Sequence, residues 1–169
     1  MISTTRKSIL TLALYFGASL ALSAPALSDA GKKGHSHGHS DSGDTAYGKP
    51  GDAKRKSRII EIMMKEGEGM SFSPSKITLK KGEQIRFKVK NAGELDHEFV
   101  IATLAENLKH AKVMARFPNM EHADPNAIRL KPKASGEILW HFTKSGKFDM
   151  SCLIPGHREA GMTGTITVE

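Results

Sequence analysis

Between Ile59 and Glu169, apolar residues fall at alternate positions in short runs, and turn-forming residues separate the runs. That period of two belongs to strands with one face buried, and several such strands in succession predict an all-β sandwich or barrel. Ile77 and Leu79 alternate with Lys76, Thr78 and Lys80; past a Lys81-Gly82 turn, Ile85, Phe87 and Val89 alternate with Gln84, Arg86, Lys88 and Lys90. The two runs predict a half-buried antiparallel pair. Ile138, Trp140 and Phe142 repeat the pattern, which leaves His141 facing out. Ser145-Gly146 turns the chain, Phe148 and Met150 continue the inward series, and Cys152 falls on the same face. Ile166 and Val168 mark a last strand. One stretch breaks the period. Leu104, Leu108, Ala111 and Ala115 share a helical face, so residues 104–117 predict one helical insertion, with a loop from Pro118 to Pro125.

Upstream of Ile59 the alternation is absent. Residues 29–58 are mostly Gly, Ser, Asp, His and Lys, too polar to repay the entropy of ordering, and predict a flexible arm. The arm carries His35-Ser36-His37-Gly38-His39 and ends in the basic cluster Lys54, Arg55, Lys56 and Arg58. Residues 1–28 read as an export signal: Arg6 and Lys7 precede the uncharged run Ser8 to Ser28, and small residues mark cleavage between positions 26 and 30. An uncleaved anchor is the alternative, but Ser, Gly and Pro dilute the run. The chain as a whole is therefore read as leader (1–28), arm (29–58) and one β domain (59–169).

Charge narrows the classes only slightly. The net charge is +7, and loss of Arg6 and Lys7 with the leader leaves +5, a moderately basic protein whose lysines scatter over strand-like positions. This favours a solvated surface that meets acidic partners, and nucleic acid is not an expected partner. The single cysteine says more. An exported chain with one Cys cannot close an internal disulfide, so Cys152 is an inert buried thiol, an intermolecular disulfide or a functional group.

Its neighbours decide between these. Cys152, His157 and Met162 follow one another at equal intervals in Cys152-Leu-Ile-Pro-Gly-His157-Arg-Glu-Ala-Gly-Met162, and Pro155-Gly156 and Gly161 let the segment turn back on itself so that three donors converge. A fourth donor comes from elsewhere, and His97 qualifies: a turn-rich Asn91-Ala-Gly-Glu stretch runs into its strand. Two imidazoles and a thiolate with a weak thioether form the ligand set of an electron-transfer copper site. Zinc is the lesser candidate, because Met poorly replaces Cys or His in a structural zinc site.

These residues resemble the cupredoxins, small copper proteins that include plastocyanin, azurin and rusticyanin, over residues 59–169. The Cys-x4-His-x4-Met spacing is closer to rusticyanin and auracyanin than to plastocyanin. The resemblance implies a Greek-key β-sandwich or barrel holding one type 1 copper, with His97, Cys152 and His157 as equatorial ligands and Met162 as the axial one. It also implies that electrons pass through an exposed edge of His157. Two positions depart from the pattern: Leu153 and Glu98 stand where many relatives carry small or hydroxyl residues.

The arm and the insertion bearing Met114, Met120 and His122 look like those of periplasmic copper-tolerance cupredoxins. Copper tolerance by binding and redox handling of copper is accordingly the expected function, with periplasmic electron carriage as the alternative. His35, His37 and His39, together with Met120 and His122, are candidate ligands for additional weakly bound copper, and His110 with Met114 is a further pair. Expected partners are copper ions and a periplasmic redox protein or a copper exporter or oxidase. A monomer without stable membrane insertion after cleavage is expected. An autonomous oxidase or reductase is not, since such enzymes bridge two copper centres with a His-Cys-His sequence and Cys152 is flanked by Ser151 and Leu153.

Overall fold

A computed structural model of the chain describes residues 43–118, 120 and 123–169. In chain order the described elements are β1 (Lys49–Pro50), β2 (Arg58–Glu66), β3 (Met70–Ser73), β4 (Lys76–Leu79), β5 (Gln84–Asn91), β6 (His97–Ala102), α1 (Leu104–Arg116), β7 (Ala127–Leu130), β8 (Ser135–His141), β9 (Gly146–Ser151) and β10 (Thr163–Val168). They form two five-stranded sheets, ordered β1-β8-β5-β2-β3 and β4-β10-β9-β6-β7. Neighbours are antiparallel except for β2 with β5 and β4 with β10, which run parallel. No described helix is long and apolar enough to cross a membrane.

The inward residues predicted from alternation supply the core. Ile85, Phe87, Val89, Ile138 and Trp140 from one sheet and Ile77, Leu79, Phe148, Met150, Ile166 and Val168 from the other belong to one buried cluster. Phe87 meets Phe99 across the interior with ring centroids 5.4 Å apart, the tilted contact that aromatic quadrupoles favour. The all-β sandwich is thus as expected, but one pairing is not. β4 and β5 are not partners: β4 pairs with β10 and β5 with β2 and β8, so the turn through Lys81 and Gly82, with Gly82 at φ 86°, carries the chain from one sheet to the other. Both strands point apolar residues at a shared interior, and alternation reads identically whether two strands share a sheet or face each other.

The domain also begins before Ile59. Tyr47 is buried and stacks on Trp140 with centroids 5.4 Å apart and planes 18° from parallel, while Trp140 Nε1 donates to the Tyr47 carbonyl at 3.1 Å. Gly48, at φ 120°, passes so close to β8 that a Cβ would lie 2.2 Å from the His141 carbonyl oxygen. Part of residues 43–58, expected in the arm, is therefore held on the sandwich, by the Tyr47 stack, the pairing of β1 with β8 and the bonds of Gly51 to Leu139 and of Asp52 to Gln84. Residues 29–42 of the arm, and the whole leader, lie outside the described residues.

Helix α1 opens with a capping box in which Thr103 accepts from the Glu106 amide and Glu106 accepts from the Thr103 amide. Its packed face differs from the expected one. Asn107 and Met114 are buried and Ala111 is half-buried, whereas Leu104, Leu108 and Ala115 are exposed. Asn107 Nδ2 donates to Asp149 Oδ2 of β9 at 2.8 Å, and Met114 packs with Val100 and Leu153. A buried side-chain hydrogen bond, invisible to a hydrophobic pattern, sets the helix's rotation. α1 lies over the outer faces of β6 and β9, which is why every residue of β6 is buried and that strand shows no alternation.

Candidate metal centre

His97 opens β6 at one end of the sandwich, and the turn before it is tied down by Asn91. The fully buried Asn91 side chain donates to the carbonyls of Leu95 at 2.7 Å and Leu130 at 3.1 Å and accepts from the Gly93 amide at 2.9 Å. At the same end, β9 runs out into Cys152 and the chain loops back to β10. Backbone bonds shape that loop: Cys152 N donates to the Met162 carbonyl at 3.1 Å, Met162 N to His157 at 3.0 Å and His157 N to Ile154 at 3.0 Å. Gly156 at φ 87° and Gly161 at φ 103° take conformations that other residues rarely adopt. Arg158 fastens the loop to the sheet through Asp149, at 2.8 and 3.2 Å, and through Ser151 Oγ. Asp149 in turn accepts from Ser151 and from Asn107 of α1, so helix, strand and loop share one buried polar node.

These supports bring three of the four expected ligands to one point. The donor atoms of His97, Cys152 and His157 lie within 4.8 Å of one another, the one such His/Cys/Asp/Glu group among the described residues. His97 Nδ1 is 3.1 Å from His157 Nδ1, and Cys152 Sγ is 3.4 Å from the same nitrogen. His97 and Cys152 are buried while His157 is partly exposed. Met162 is fully buried and follows the loop's last glycine, with its amide and carbonyl bonded to the His157 and Cys152 ends of the loop.

Burial pushes the Cys152 thiol up to about 11, so without a metal it stays protonated at neutral pH. The Glu98 amide donates to its sulfur at 3.3 Å, an interaction suited to a thiolate. Burial and the neighbouring His97 together hold the His157 imidazole below its usual range. His97 Nε2 is 2.8 Å from Glu66 Oε1 at the end of β2. A carboxylate only accepts, so Nε2 carries the proton and the Nδ1 lone pair is turned toward Cys152 and His157. Two imidazole nitrogens and one thiol, aimed together with His97 and Cys152 shielded from water, fit a soft-to-borderline ion such as copper.

A profile of the copper-binding proteins of the plastocyanin/azurin family matches residues 59–169. The chain belongs to that family. This cupredoxin is similar to the copper-resistant cuproprotein CopI of Rubrivivax gelatinosus, at 47% identity over 80% of this chain and 84% of that protein. It is also similar to the protein of the same name from Pseudomonas aeruginosa, at 33% identity over 96% and 94%. Among solved structures, an auracyanin from Roseiflexus castenholzii superposes with a TM-score of 0.57 at 25% identity, covering 67% of this chain and 98% of that one.

One of the two departures from the cupredoxin pattern has a local cause: Leu153 fills the space beneath α1 beside Met114 and Val100. Glu98 is buried and its backbone amide donates to the Cys152 sulfur, a bond that any residue but proline could make, so nothing in the structure accounts for the glutamate side chain there. The expected secondary ligands fare differently. Met114 is fully buried and packs with Val100 and Leu153, while His110 is half-buried on the same helix. Met120 is exposed beside Phe117, while His122, His35, His37 and His39 lie outside the described residues. His141 is part-buried and bonds to Arg55 and to the Gly82 carbonyl. Glu66, Gly93, Asp149 and Arg158 were not foreseen. Glu66 stands thirty-one positions from His97, and nothing in its local pattern marks it.

Proposed function

We propose that this cupredoxin is exported to the periplasm and binds one type 1 copper through His97, Cys152 and His157, with Met162 as weak axial ligand, in the service of copper tolerance. The observation that carries the reading is the convergence of two imidazoles and a buried thiol from β6 and the β9–β10 loop, donor atoms within 4.8 Å. Copper held there would supply one-electron redox chemistry. The protein's own part is to exclude water around Cys152, fix the His97 tautomer and leave one imidazole, His157, at the surface. The tolerance role is supported by similarity to proteins named for copper resistance. The polar segment with His35, His37 and His39 and the exposed Met120 near His122 are assigned additional, labile copper, which weakens as imidazoles protonate below about pH 6.5.

Electron carriage between periplasmic redox partners is the second reading, favoured by the partly exposed His157 edge beside an otherwise buried site. Cells separate the two. A deletion strain complemented with the full chain, with Cys152→Ser, or with a mature form lacking residues 29–42 is grown under copper stress. Tolerance restored by the full chain and lost with Cys152→Ser supports the type 1 centre as the working part. Tolerance unaffected by deletion of the whole gene contradicts the proposed function.

A further inference from the structure

We propose that Glu66 is a positioning residue of the copper centre whose negative charge, delivered through His97, holds the copper toward its oxidised state. The inference rests on the reading that copper sits at His97, Cys152 and His157, and it concerns a residue outside that ligand set. Glu66 is the last residue of β2, and its Oε1 accepts three hydrogen bonds: from the Glu94 amide at 3.0 Å, the Leu95 amide at 2.9 Å and His97 Nε2 at 2.8 Å. One oxygen therefore closes the turn that leads into β6 and fixes the ring of its first residue. Two backbone donors hold the carboxylate in place, so its alignment with the imidazole does not depend on the ligand alone.

Gly93 gives independent support. A Cβ at that position would lie 2.1 Å from Glu66 Oε1, closer than atoms can stand, and 3.2 Å from His97 Nε2, a tight contact. The backbone of the turn is thus drawn against the carboxylate-imidazole contact, and any side chain at position 93 would push the pair apart. Asn91 keeps it there through its bonds to Gly93, Leu95 and Leu130. A loop cap alone would need only the two amides. The third bond, to the one imidazole nitrogen not turned toward the other donors, gives this carboxylate an electronic reach into the site.

The consequence follows from charge. A carboxylate accepting from the distal N–H of a metal-bound imidazole fixes its tautomer and makes it a stronger donor. A stronger donor and a nearby negative charge both favour the more highly charged Cu(II) over Cu(I). Glutamine in place of Glu66 keeps an oxygen acceptor for all three donors and removes the charge.

The test is a redox titration at neutral pH of the copper-loaded wild type, Glu66→Gln, Glu66→Asp and Gly93→Ala proteins, following the visible thiolate-to-copper band. Glu66→Gln is expected to keep the band with its Cu(II)/Cu(I) equilibrium shifted about tenfold toward Cu(I), which is about 59 mV for one electron. Glu66→Asp should lie nearer the wild type, and Gly93→Ala should shift in the same direction as Glu66→Gln. A band in the wild type with an unchanged equilibrium in Glu66→Gln overturns the inference and leaves the copper centre standing. No band in the wild type overturns the centre itself. Should Glu66→Gln fail to hold copper, Glu66→Asp decides: restored binding supports the carboxylate, and binding lost in both overturns its role as a charge.

Discussion

His97 enters the site on a strand, β6, paired with β7 on one edge and β9 on the other, whereas Cys152, His157 and Met162 enter on a loop that leaves the sheet altogether. The strand side is held by register and by the Asn91 and Glu66 bonds of the preceding turn. The loop side is held by a few backbone bonds, two glycines at positive φ and the Arg158–Asp149 ion pair. A strand residue can move only if the sheet moves. A loop can relax around one altered ligand. The two halves should therefore answer substitution differently, with the strand side affecting electronics through fixed geometry and the loop side affecting whether the site is assembled at all.

The loop side carries the largest expected effects. Cys152→Ser removes the only thiol of the chain and should abolish the visible charge-transfer band completely, read by titrating the purified protein with Cu(II). Next comes Arg158→Ala. It removes the cation paired with the buried Asp149 carboxylate, whose side chain is 10% exposed and keeps its bonds from Ser151 and Asn107, and removal of one partner from a buried pair costs about 3–5 kcal/mol. Urea unfolding of the metal-free protein measures it, and a loss under about 1 kcal/mol would show that the loop does not depend on this anchor.

Helix α1 sharpens the comparison, because it props the loop side from outside. Met114→Ala, which empties the pocket shared with Leu153 and Val100, should cost about 2–5 kcal/mol, while Leu108→Glu on the exposed face should stay within about 0.5 kcal/mol. Equal costs would mean that the helix packs on the face its hydrophobic pattern suggests. Smallest in its effect on binding is Met162→Leu, which should retain copper and colour and raise the reduction potential through loss of a weak donor to Cu(II). Complete loss of copper from that variant would make Met162 a principal ligand.

Much of this was legible in the residues. Period-two runs located the inward faces of β4, β5, β8 and β10 because burial on one side of a pleat leaves that mark directly. The Cys152, His157 and Met162 spacing was legible because a single loop carries it, and His97 because a turn-rich stretch precedes it. What was hidden depends on pairing between distant segments. The assignment of β4 and β5 to different sheets, the rotation of α1 about Asn107 and the Glu66–His97 contact all rest on partners many residues away. Tyr47 was hidden for the opposite reason: a lone aromatic in a polar stretch gives no period, yet its stack on Trp140 anchors the segment.

The central claim is that copper is bound by one thiolate and two imidazoles drawn from the strand and the loop together. Copper X-ray absorption spectroscopy on the domain from residue 43 onward, loaded with one equivalent of Cu(II), tests it most directly. The account predicts one short copper–sulfur distance with two imidazole nitrogens, and loss of that sulfur signal in Cys152→Ser. A first shell of nitrogen and oxygen alone in the unsubstituted domain would contradict it.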